Sequence, residues 1–484
     1  MARSRTRGAG RASRASRAER MIFGVPERFM RPRLVLLAAV VVLLGFGLLM
    51  VYSASSVTAL SVTGDAAYYL KRQALFACAG AAIAVGLALV DYHVWVRLIV
   101  PVWAVTVLLL LIVIVAGTDN EQGANRWIDL GFFDLQPSEF AKISIVFTAA
   151  AIAERYYEEG SIDGRTFLIL LGLGVALPVG LILIQPDKGT TLILCLTLLV
   201  LGYLSGVPLR IILVLLLGGM VAFFALSMRD EYSARRLYAM LDPWSDQYDT
   251  GWQLIQGYYA FGSGGLLGVG IGFSRQKYSY LPLAHNDFIF AVVGEECGLV
   301  GAVGMLAGFA VFLWAGLEIA RHAPDLAGRL IAAGCSSLVI VQLLVNVCGV
   351  LGLFPMTGKP VPFISYGGSS IVSSLLLVGV IASVSIHSSL PETAYDRERR
   401  SWQVEESSPV PGAGGLSFAG EPMPRSERPR ASAPRRSLTV VEGGTRPRRG
   451  GPSIGGARGG ASGGRRRIDL GPGAAERLRG RRGR

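Results

Sequence analysis

Apolar runs of about 20 residues recur along the chain, broken by short polar stretches and apolar on every face. As a helix, a run of that length covers the ~30 Å hydrocarbon core of a bilayer. A soluble helix would carry a polar stripe at the 3.6-residue period, and these runs carry none. The pattern predicts an all-α polytopic membrane protein with ten transmembrane helices. They fall at 34–53, 70–90, 94–116, 137–153, 167–184, 188–205, 208–227, 287–316, 328–352 and 366–388. The fourth is short, and only Gln185, Pro186 and Asp187 separate the fifth from the sixth.

One polar interruption is long, residues 228–286 between helices 7 and 8. A structureless loop of that size is unusual. Trp252 to Phe261 predicts a short amphipathic or re-entrant helix, which Ser263-Gly264-Gly265 ends. Leu266 to Phe273 follows as a second, Gly-punctuated apolar patch. Irregular backbone at membrane depth is tolerated where it lines a cavity or is buried in protein. The loop from Phe354 to Gly368, with three prolines, has the same character.

Charge orients the bundle. The net charge is +13, but residues 1–33 carry +8 and residues 391–484 carry +10, so the membrane body is slightly acidic. Basic residues favour the cytoplasmic side. Two Arg-rich tails then place both termini in the cytoplasm, with Arg97, Arg155, Arg165, Arg210, Arg321 and Arg329 in inside loops. The 228–286 loop becomes extracytoplasmic. Residues 1–33 and 391–484 read as disordered tails. The bland reading of the C-terminal tail is attraction to anionic lipid head groups, and the alternative is docking of a cytoplasmic partner. From Arg425 onward no aromatic residue is interleaved with its arginines, so nucleic acid is not expected. The run Leu34 to Val51 reads as a signal anchor rather than a cleaved signal. The five cysteines show no metal spacing and read as small buried hydrophobes.

Polar groups at membrane depth are costly, which makes each a functional candidate. Glu139 and Lys142 share a helical face at i,i+3, either as a self-neutralising pair or with Lys142 facing an anionic ligand. Arg126 beside Trp127 suits an interfacial anchor or a phosphate contact. Asp187 reads as the cap of the helix that follows. Asp287, after His285 and Asn286, puts a carboxylate where an aqueous loop meets a span. Partial desolvation there would make it a better base, and capping is the alternative. His285 is a polar neighbour or an interfacial residue. Glu295 and Glu296 lie two turns further in, one of them a candidate partner for a cation. Gln256, Lys277 and Ser369 complete the substrate-binding candidates. No phosphate-binding Gly-rich loop, zinc pattern or Ser/His/Asp arrangement is present. The residues alone describe a polar cavity holding a carboxylate and cations, suited to an enzyme acting on an anionic lipid or to a transporter of one.

Several stretches resemble one family: Met50–Ser56, Arg126–Ile128, Gln136–Lys142, Gln185–Asp187, His285–Phe290 and Pro362–Ser370. Collinear over 34–388, they are similar to the SEDS (shape, elongation, division and sporulation) proteins. Ser274 to Pro282 is more similar to the cell-division branch than to the elongation branch. The resemblance implies a peptidoglycan glycosyltransferase of the bacterial cytoplasmic membrane, polymerising lipid II at its outer face during septal wall synthesis. It also implies a class B penicillin-binding transpeptidase and other divisome proteins as partners, and it places the essential aspartate at Asp287. Arg126, Lys142 or Lys277 would offset the leaving pyrophosphate, with Mg²⁺ or another divalent cation left open as a helper. Three positions depart from the family pattern: Asn286 for a usual Thr, Leu283 for a common Glu, and Lys188 in a usually apolar slot. The rivals are an elongation-type polymerase, a lipid II flippase and a septal scaffold. A carrier needs a polar path through both leaflets, whereas here the polar residues gather at one end.

Overall fold

The computed structural model describes residues 21–22, 25–119, 125–129, 131, 134–278 and 280–388. The expected tail from Pro391 onward, and most of the N-terminal one, lie outside these residues. A two-residue pair, β1 (Met21–Ile22) and β2 (Val25–Pro26), precedes α1 (Glu27–Thr63). The first helix thus starts before Leu34. Glu27 in its first turn suits the positive end of the helix dipole. Arg33 donates to the Ser385 carbonyl at 2.6 Å and to Ser385 Oγ at 3.1 Å, tying this extension to the last span.

The chain continues through α2 (Tyr68–Leu89), the short α3 (Tyr92–Arg97) and α4 (Ile99–Ala116). Three short antiparallel strands follow, β3 (Thr118–Asp119), β4 (Asn125–Asp129) and β5 (Asp134–Leu135), and they carry Arg126. Next come α5 (Pro137–Ala153), α6 (Gly164–Leu171), α7 (Leu177–Ile184), α8 (Lys188–Leu204) and α9 (Leu209–Arg229). A single π turn, Gly172–Ala176, joins α6 to α7 as one 21-residue span.

The long loop is largely helical in its first half. It holds α10 (Glu231–Leu241) and α11 (Trp252–Gly264), so the helix expected from Trp252 forms and stops at its glycines. The eighth apolar run is broken into α12 (Ile289–Glu296) and α13 (Gly298–Arg321) at Gly298, whose φ is +66°. The backbone of the preceding loop fills the break, with Val269 N–H donating to the Glu295 carbonyl and Gly270 N–H to that of Glu296. The last spans are α14 (Leu326–Val350) and α15 (Gly368–His387).

Among the described residues, eight helices are long and apolar enough to cross a membrane. Two of the ten expected spans, α5 and α8, are 17 residues each and fall short of that length. The protein is therefore an all-α polytopic membrane protein with eight spans established by length. The core lies around α14 and α15, which are buried on nearly every face. α15 packs along α2, α14 on α8, α5 and α13, and α13 on α1. At Gly379 a Cβ would stand 2.5 Å from the Ala84 carbonyl oxygen, so only glycine permits this helix approach. By contrast α9 buries only Ser227 and packs on α8 and α10. Its Leu213, Leu217 and Val221 face outward, as hydrocarbon requires.

Candidate active site

The site forms at the end of the bundle that carries the long loop. Its frame is a polar stripe on α14. Asn346 Nδ2 donates to the carbonyls of Asp287 and Lys359, both at 2.7 Å. One turn earlier, Gln342 Nε2 donates to the Pro360 carbonyl at 2.8 Å. One helix thereby fixes the loop bearing Asp287 and the proline-rich loop against each other. Inside hydrocarbon, those carbonyls would be costly without donors.

Asp187 is the second fixed point. It caps α8 through Thr190 N–H and also accepts from Lys359 Nζ at 2.8 Å, Ser138 Oγ at 3.0 Å and Gln136 Nε2 at 3.2 Å. Burial alone would raise its pKa. Lys359 and Arg126 overcome that and hold the carboxyl well below the usual range. Arg126 reaches this knot by donating to the Pro186 carbonyl at 2.7 Å.

Beside the knot lies a cavity of about 250 Å³. Its wall includes three cations, Arg126, Lys188 and Arg236, and one acid, Asp230. Arg236, on α10, donates to the Met356 carbonyl at 3.0 Å, and its guanidinium lies 4.4 Å from the Tyr232 ring centroid. Met356 and Thr357 also wall a smaller adjoining space lined by Asp287 and Asn346. Gly358 sits between the two charges. Its φ of +65° favours glycine, and a Cβ there would lie 3.7 Å from Arg236 Nη1 and 3.8 Å from Asp287 Oδ2. Asp287 Oδ1 is buried and has no hydrogen-bond partner among the described residues. Burial pushes this carboxyl above its ordinary range, and the Arg236 charge pulls it back. An unpartnered carboxylate oxygen beside a cationic cavity can accept a proton from a bound hydroxyl while the cations hold an anion.

The comparisons with known proteins bear on which reaction this is. A family model described as "Cell cycle protein", covering FtsW, RodA and SpoVE, matches residues 34–390. The chain belongs to the FtsW/RodA/SpoVE family. It is 40% identical over 365 residues to "Probable peptidoglycan glycosyltransferase FtsW" of Trichlorobacter lovleyi, across 74% of this chain and 94% of that one. It is 39% identical over 359 residues to "Stage V sporulation protein E" of Bacillus subtilis, across 74% and 98%. Among solved structures it resembles a chain of a peptidoglycan synthase complex that coordinates polymerization and crosslinking. There the TM-score is 0.59 at 28% identity, over 74% of this chain and 98% of that one. Thermus thermophilus RodA gives a TM-score of 0.55 at 27% identity, over 74% and 97%.

Within this FtsW/RodA/SpoVE fold the expected site residues separate. Arg126 and Asp287 come to the two adjoining spaces. Lys142 does not: its Nζ lies 2.8 Å from Glu139 Oε2 and 2.7 Å from Gln342 Oε1, all buried. Glu139 and Lys142 thus form the self-neutralising pair. Lys277 donates to the Gly272 carbonyl and stands 3.8 Å from Glu296 Oε1, so its charge is committed there, and it lines neither space. Glu296 also takes Ser53 Oγ at 2.6 Å, while Glu295 accepts Arg275 N–H at 2.8 Å. The His285 ring packs at a tilt against Tyr69, centroids 4.7 Å apart, and burial pushes its pKa down to about 4. It is an aromatic-cluster residue that stays neutral. Ser369 donates to the Asp134 carbonyl and accepts from Gln136 N–H, joining α15 to the strand loop. Gln256 is buried on α11 and is not among the residues lining either space.

Sequence reasoning missed Arg236, Gln342, Asn346 and Lys359. For Gln342 and Asn346 the signal was present: two amides four residues apart on one face of an otherwise apolar span. No group of three or more His, Cys, Asp or Glu side chains that could hold a metal occurs among the described residues. Asp287 is the one carboxylate in its space, which does not make a metal site from protein ligands alone.

Proposed function

We propose that this protein polymerises lipid II into glycan strands, with Asp287 as the general base and the adjoining cavity as the site of the donor's pyrophosphate. The unpartnered, buried Asp287 oxygen, close to Arg236 and in the space adjoining the cavity that three cations line, carries this reading. Asp287 accepts the proton of the acceptor sugar's 4-hydroxyl. That oxygen attacks the anomeric carbon of the donor's N-acetylmuramic acid, and undecaprenyl pyrophosphate departs. The leaving group needs no proton but does need its charge offset, which preorganised cations supply. One carboxylate then suffices, where a glycosidase needs two. Arg126, Lys188 and Arg236 take the role that the sequence had divided among Arg126, Lys142 and Lys277. The long loop lies on the outer face of the cytoplasmic membrane, and a class B transpeptidase at the septum crosslinks the product.

The pH profile tests the pairing of Asp287 with Arg236. The base works ionised, so kcat/KM should fall as pH drops through its pKa. Removing an opposing cation raises a carboxylate pKa. Arg236→Gln should therefore shift the acid limb of the profile to higher pH and raise KM for lipid II. An acid limb that stays in place would separate Arg236 from the base.

A further inference from the structure

We propose that Asp230 is a built-in competitor for the substrate's anionic group, occupying Lys188 until a phosphate displaces it. The proposal rests on the reading of the cavity as a pyrophosphate site. Lys188 opens α8, and its Nζ crosses to the α9–α10 corner, 2.7 Å from Ser233 Oγ, 3.1 Å from Asp230 Oδ2 and 3.4 Å from the Leu226 carbonyl. Lys188, Asp230 and Ser233 all line the cavity. The hydrogen bonds of the other two cations go to neutral groups, those of Arg126 to the Pro186 and Gln185 carbonyls and those of Arg236 to the Met356 carbonyl and the Tyr232 hydroxyl, while their charges act at longer range on Asp187 and Asp287. Asp230 is the one acid in the lining, so it offsets one of the three positive charges available to an anion.

The pair is suited to exchange. The Asp230 side chain is 47% exposed, and that of Lys188 18%. A half-open ion pair contributes little and is screened by salt. A pyrophosphate brings more charge and more acceptor oxygens than a carboxylate, and so can take the ammonium without a large loss. The Ser233 hydroxyl, which also donates to Asp230, steadies the carboxylate once the lysine leaves.

The competing reading is a latch that merely holds the sparsely packed α9 to α8. The two readings differ in sign. Asp230 also caps α10 by accepting the Ser233 N–H, and Asn preserves that role, so Asp230→Asn removes the charge and keeps the helix start. With purified protein, its partner transpeptidase and lipid II, Asp230→Asn should lower KM about two- to fivefold, the worth of an exposed pair. It should tighten competitive inhibition by inorganic pyrophosphate to match. Lys188→Met should raise KM about tenfold, as loss of a charged donor implies. Opposite shifts in the two variants support the competitor. Shifts in the same direction, or no change in Asp230→Asn, overturn it. Arg236→Ala tells the failures apart: if it leaves KM unchanged, the cavity reading itself falls. If it raises KM while Asp230→Asn does not lower it, only the exchange is wrong.

Discussion

Lys142→Met is expected to destabilise the protein by about 3–5 kcal/mol, the cost of leaving a buried charge without its partner. Lys142 is 1% exposed and Glu139 2%, so water reaches neither. The substitution strands the Glu139 carboxylate and also strips Gln342 Oε1 of its donor at 2.7 Å. Gln342 in turn holds the Pro360 carbonyl, so the loop beside Asp287 should loosen with it. Combining Lys142→Met with Glu139→Gln should recover much of the loss, because a buried pair replaced as a unit costs far less than one broken. Thermal unfolding in detergent checks this directly. A wild-type melting temperature with weakened lipid II binding would instead make Lys142 a substrate contact.

Asp287→Asn is expected to lower kcat about 100- to 10,000-fold, the usual worth of a positioned general base. KM should stay near the wild-type value, because the cations that hold the anion are untouched. Stability should move the other way from the Lys142 variant. Burial opposes the ionised form of Asp287 more than the Arg236 charge favours it, and Oδ1 has no hydrogen-bond partner among the described residues, so a neutral amide should fold as well or better. Single-turnover rates and a melting curve on the same preparation separate the two effects. A retained kcat would remove Asp287 from the chemistry.

Much of the fold was legible because hydrocarbon imposes a simple rule: apolar on all faces, about 20 residues long. The helix from Trp252 was legible for a different reason, an amphipathic segment closed by glycines. The helices α5 and α8 form where expected, but at 17 residues each they leave eight spans, not ten, established by length. Continuity failed at Gly298, where a positive φ and the returning loop backbone split an apolar run in two. The site was half legible. Asp287 and Arg126 stood out as charges flanking spans. Lys142 and Lys277 stood out equally; the i,i+3 spacing offered Glu139 as a partner for Lys142, but nothing local chose that pair over an anionic ligand or showed that Gln342, 200 residues away, would complete it. Arg236 is one of several basic residues in a long loop, and only the packing of α10 on the Met356 turn selects it. Charge and a local counter-charge such as Glu139 can be read from sequence, but which charges end up facing the cavity is set by long-range packing.

Under the proposed function, Asp287 and the neighbouring cations polymerise lipid II rather than move it. The direct test reconstitutes wild-type and Asp287→Ala protein with the transpeptidase partner in liposomes, supplies lipid II, and follows glycan polymer and lipid II translocation together. Polymer from the wild type and none from Asp287→Ala, with translocation in neither, is the predicted result. Translocation without polymer in the wild type, or undiminished polymer from Asp287→Ala, would contradict it.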